Sequence, residues 1–125
     1  MSKKITIAIR SHISIESIKY LLDSASRGAH YWAVNNLGYE SEVNKAISEI
    51  GVKIEDLESE EAKEGVNRLA NPKIHILNIK KIKRGLTAMA KKEPSHFADF
   101  LKENYDETTG DVFLQCCLFG EVIYG

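Results

Sequence analysis

Cysteine is scarce in this chain of 125 residues, and the two present, Cys116 and Cys117, are neighbours. A disulfide between adjacent residues closes a strained ring, so no disulfide framework is expected, and the pair reads as two buried thiols in a reducing compartment. No apolar run approaches the about 18 residues that a membrane span needs. MSKKITIAIR carries lysines but no continuous apolar stretch before Arg10, so a secretory signal is not expected either. Charge of one sign is also missing: 17 Lys and Arg against 18 Asp and Glu leave a net charge of −1 and no overall attraction to nucleic acid or an anionic membrane. There is no P-loop, G-x-G-x-x-G, G-x-S-x-G or H-E-x-x-H. The four histidines, His12, His30, His75 and His96, have no metal-ligand spacing among themselves or with the cysteines. These absences predict a cytoplasmic protein that is not an enzyme and takes no metal or cofactor.

What is present specifies a fold. At this length the chain forms one domain and buries about two-thirds of the surface its unfolded form exposes. Residues 4–10 alternate, with Ile5, Ile7 and Ile9 on one face, and predict a strand. Ser14 caps a helix over 15–26, which Gly28 stops in the left-handed conformation. Ala29–Val34 predicts a short strand before the Asn35–Gly38 turn. Residues 40–70 read as a variable acidic insertion of two short helices, Ser41–Ile50 and one opened by Ser59. Lys73–Leu77 predicts a further strand, and Asn78 caps a helix over 79–92 that buries Ile79, Ile82, Leu86, Met89 and Ala90 and exposes lysines. Pro94 stops it. Ser95 caps a helix over 95–104 with Phe97, Phe100 and Leu101 inward. Thr108 opens an almost wholly apolar helix to Phe119, ended by Gly120, and 121–124 follow as a strand or an extended tail. The order predicts a single α+β domain over 1–125: a small, mostly antiparallel sheet packed on one face by helices.

Three clusters carry candidate chemistry. Arg27-Gly28-Ala29-His30-Tyr31-Trp32 puts a guanidinium fork beside two aromatic rings, a pattern suited to a phosphate and a base. The plainer reading makes Trp32 a core anchor and Arg27 a solvated charge. The basic face of 79–92, with Arg84 among its lysines, suits phosphates or an acidic partner, or is simply solvated. This face also suits pairing with the acidic residues 55–64 of the same or another copy, and that charge asymmetry makes a homo-oligomer the expectation. His96 and Asp99 share a helix face as a general base with its orienting carboxylate would, or as a tie between elements. Arg27, Tyr31, Trp32, Arg84 and His96 are the candidate ligand-binding residues, and no catalytic set accompanies them.

Gly28, Tyr31 and Trp32, followed by a C-terminal block with His96, Phe97, Asp99, Phe100, Leu101, Glu103, Asp106, Thr109, Asp111, Val112–Gln115, Phe119–Glu121, Tyr124 and Gly125, resemble a family of small bacteriophage and prophage proteins. Gly85, Leu86, Met89 and Ala90 fit the same pattern. The likeness covers roughly half the chain; residues 35–72 are longer and more acidic, and Arg27 stands where the family often has a second glycine. The resemblance implies a phage product acting in the host cytoplasm, and identifies no site residues. By analogy with phage proteins of this size, the function expected is counter-defence: a homo-oligomeric sponge for a nucleotide immune signal, or an inhibitor that binds a host defence protein through the acidic 55–64 insertion. Nucleic acid and membrane are not expected partners.

Overall fold

A computed structural model describes residues 12–59 and 72–125. Ser14 accepts from the amide of Ser17 and starts α1, Ile15–Gly28, whose buried face carries Ile18, Leu21, Leu22 and Ala25. Asn78 does the same through Lys81 for α3, Ile79–Lys92. Between them lie β1 (Ala33–Val34), α2 (Glu40–Ala46), β2 (Val52–Asp56) and β3 (Lys73–Leu77). After α3 come α4 (Pro94–Leu101) and α5 (Glu107–Phe119).

The three strands form an antiparallel sheet in the order β1-β2-β3. Ala33, Val52, Ile54, Asp56 and Leu77 are buried on the face turned to the helices, while Val34, Ile74 and Ile76 of the other face stay exposed. That is the predicted α+β domain, a small sheet packed on one face. Helix α5 lies at its centre, with Val112, Phe113, Leu114, Cys116, Cys117 and Leu118 all buried; full burial of one such aliphatic or aromatic side chain contributes about 1.5–3 kcal/mol. It packs closely against α1 and α3 because glycines remove the side chains that would separate the helices. A Cβ on Gly110 would collide with the backbone of Ser24 and Ala25, and one on Gly85 with Cys117.

Several elements differ from the sequence expectation. The strand expected at 4–10 and the helix expected from Ser59 lie outside the described residues, Ser59 itself apart. Over its described part, residues 40–59, this stretch is not purely helical: α2 is followed by β2, the middle strand of the sheet. Val52, Ile54 and Asp56 alternate inward, a period-2 pattern inside an acidic run. Gly28 ends α1 without a left-handed turn, and Ala29 is the cap; what Gly28 provides is room, since a Cβ there would strike the carbonyl of Glu107. Residues 29–32 form turns, with Trp32 and Ala33 amides bonded to the carbonyl of Ala29, so only Ala33–Val34 is left for the strand. Pro94 both terminates α3 and opens α4 at its first turn, where a missing N–H costs nothing, which displaces Ser95 as the cap. Leu101 and Ala90 face solvent. Asp106 rather than Thr108 caps α5, accepting from the amide of Thr109. Gly120, at φ 75°, closes α5 as expected, and 121–124 run as an extended tail.

Candidate functional site

The cluster at residues 27–32 is held by an acid it was not expected to meet. Asp111, one turn into α5, accepts from the Tyr31 hydroxyl at 2.7 Å and from Trp32 Nε1 at 2.8 Å. Gln115, fully buried one turn further on, donates to the same carboxylate at 3.0 Å. Its carbonyl oxygen accepts from the amides of Ile123 and Tyr124, both at 2.8 Å, and fixes the C-terminal tail. Trp32 is wholly buried, its ring packed on Phe119 and Tyr124 with centroids 5.4 and 5.2 Å away. No face of it is open for stacking on a ligand, which overturns that part of the sequence expectation in favour of the core anchor.

Arg27 is committed as well. It donates to Asp23 at 2.9 Å and lies 3.5 Å from Glu107, and the bond to Asp23 chiefly raises its pKa. A cleft of about 420 Å³ does open here, lined by Arg27, His30, Tyr31, Glu107, Asp111 and Tyr124 among others. Two carboxylates stand in its wall, so an incoming phosphate would meet negative charge and a guanidinium already shared between acids. Burial, then the bond to Asp111, pushes the Tyr31 phenol up to about 12, and it remains a protonated donor.

His96 lies far from that cluster in function. Its Nδ1 is 3.4 Å from the hydroxyl of buried Thr109 and ties α4 to α5. Among the described residues no ion pair joins it to Asp99, which favours the structural reading of that pair.

Arg84 belongs to a different surface. Lys80, Lys83, Arg84, Thr87 and Lys91 recur at intervals of three and four along α3 and form one stripe about 16 Å long. Beside it runs a cleft of about 580 Å³ lined by these residues, Lys92, Ala88, Cys116 and Gly120. No carboxylate among the described residues lines this groove. Among the described residues no carboxylate pairs with Lys80, Lys83, Arg84 or Lys91, while Lys92 donates to the carbonyl of Gly120 at 2.9 Å. Burial, then Arg84, lowers the pKa of neighbouring Lys81. Small groups form the floor. The Cys116 thiol there is raised to about 11, by burial first and then by Glu93, and Cys117 still higher by burial, so both are inert thiols as expected.

One polar cluster escaped sequence reasoning. Asp56, 1% exposed, accepts from the Tyr124 hydroxyl at 2.9 and 3.1 Å and from the Glu58 amide, and His75 Nε2 lies 3.6 Å from it. Burial holds the His75 imidazole below its ordinary pKa, against the pull of Asp56. The inward place of Asp56 in the Val52-Ile54-Asp56 alternation was the available signal. It also removes Asp56 from any acidic surface acting on a partner, so the 55–64 run is not one solvated face. Among the described residues no helix is long and apolar enough to cross a membrane.

Among the described residues these features define a small α+β protein with polar clusters at Asp111 and Asp56 closed on themselves and a basic groove along α3 left open. Comparisons with protein-family models, curated proteins and solved structures returned no match.

Proposed function

We propose that this chain is a non-catalytic, self-associating binding protein that captures a phosphorylated, nucleotide-derived small molecule in the basic groove of α3. The observation that carries the reading is the groove itself: among the described residues, Lys80, Lys83, Arg84 and Lys91 line it without a carboxylate partner and no carboxylate stands in its wall. Cations with no internal partner are the groups an anion gains most from meeting, and lysine and arginine both bind phosphate oxygens. The likeness of Ser95–Gly125 to phage proteins supports setting this capture in counter-defence within the host cytoplasm, where sequestering a nucleotide immune signal needs affinity and no turnover. The alternative, an inhibitor acting through residues 55–64, loses Asp56 to the core, while Glu60, Glu61 and Glu64 lie outside the described residues.

Thermal melts with cyclic dinucleotides, cyclic trinucleotides and ADP-ribose derivatives test the reading. A bound ligand at a hundred times its dissociation constant adds about 2.7 kcal/mol, which raises the melting temperature by several degrees. The rise should persist in Arg27→Gln and vanish in the double variant Lys83→Glu/Arg84→Glu. No rise with any of these ligands overturns the proposal.

A further inference from the structure

The outer face of the sheet is a second surface with a readable pattern. The register sets Glu55 between Val34 on β1 and Ile74 on β3, and one row along sets Lys53 beside Ile76. Val34, Ile74 and Ile76 are 44%, 44% and 43% exposed, and Lys53 is exposed beside them. Among the described residues neither Lys53 nor Glu55 has an ion-pair partner. Among the described residues, three aliphatic side chains and two opposite charges without an ion-pair partner thus share one face of a sheet whose other face packs on the core.

We infer that this face binds a second copy of the chain. The argument is self-complementarity, which any two-fold interface requires. A two-fold axis lying in the interface, across the strands at the level of Ile54, exchanges position 53 with position 55. It sets Lys53 of one copy against Glu55 of the other, twice, and with the same operation sets Ile74 against Ile76, twice. Stacked sheets lie about 10 Å apart, a gap that a lysine and a glutamate bridge from opposite sides while the isoleucines meet between them. One rotation therefore satisfies both the charges and the aliphatic groups. A different occupant would have to match the same alternation by chance. The face presents five side chains where a standard interface uses roughly 20–30 residues a side, so a weak dimer, populated only at high concentration, is expected. This inference rests on the self-association part of the proposed function and not on the ligand, since it uses none of the groove residues.

Sedimentation velocity from micromolar to near-millimolar protein, with Lys53→Glu, Glu55→Lys and the exchanged double variant, tests it. The wild-type chain is expected to shift from monomer to dimer. Each single variant places like charges opposite each other and should stay monomeric over the same range, while the double variant restores the opposite-sign pairs and the dimer. A wild-type chain that remains monomeric throughout overturns both the interface and the self-association, with the groove unaffected. Single variants that dimerise as well as wild type, or a double variant that stays monomeric, overturn the interface alone.

Discussion

The turn at residues 27–32 and the outer stripe of α3 look equally promising as lists of residue types, and the structure treats them in opposite ways. At the turn the polar side chains have found partners inside the chain: Trp32 and Tyr31 on Asp111, Arg27 between Asp23 and Glu107, and His30 on the carbonyl of Arg27. Along α3 the cations line a groove with no carboxylate in its wall among the described residues. A satisfied cluster spends its interactions on holding the tail and the first helix to α5. An unsatisfied one keeps them for something else. The same residue chemistry thus means stability in one place and, under the proposed function, recognition in the other, and what separates them is where the carboxylates are.

The largest way to test that contrast is Trp32→Ala. The substitution empties a wholly buried site and leaves Asp111 short of a donor, so a loss of about 3–5 kcal/mol is expected in urea or thermal unfolding. A loss under about 1 kcal/mol would show that the turn is not part of the core. Gly110→Ala comes next, because its methyl meets the backbone of α1 and forces the helices apart; roughly 1–3 kcal/mol should be lost.

Tyr31 sharpens the comparison through pH. The fold holds its phenol protonated to about 12 against an ordinary 10.0, so the folded state binds that proton more tightly than the unfolded chain. The resulting stability is whole below pH 10 and disappears as pH rises toward 12. Tyr31→Phe should therefore flatten the alkaline fall in melting temperature over that window, and an unchanged slope would refute the assignment. Smallest of all is Arg27→Gln. Its ion pairs are half exposed and screened, so stability should change by less than about 1 kcal/mol.

Much of this fold could be read from local pattern. Ser14 and Asn78 cap helices where their hydroxyl and amide reach the third residue on, Lys73–Leu77 alternates, and the apolar surface of α5 demands burial on all sides. What could not be read depends on partners distant in sequence. Asp111 lies 79 residues from Trp32, and Asp56 lies 68 from Tyr124. Neither separation leaves a trace in spacing, so the turn looked like a ligand site and Asp56 like part of a solvated acidic run. Residues 52–56 hid for a related reason: a five-residue alternation is a short signal, and two of the five are acids. Pro94 shows a local ambiguity, since the residue that breaks one helix is well suited to begin another. The lysines of α3 were visible at once. Their freedom from acids was not, because that requires every neighbouring element to be in place.

The central claim is that the α3 groove, and not the Arg27–Trp32 turn, meets phosphate. Amide chemical-shift mapping of the ¹⁵N-labelled chain titrated with pyrophosphate addresses it directly. Saturable shifts are expected at Lys80, Lys83, Arg84 and Lys91, with Arg27, Tyr31 and Trp32 unmoved. Shifts gathered at residues 27–32, or none along α3, would contradict it.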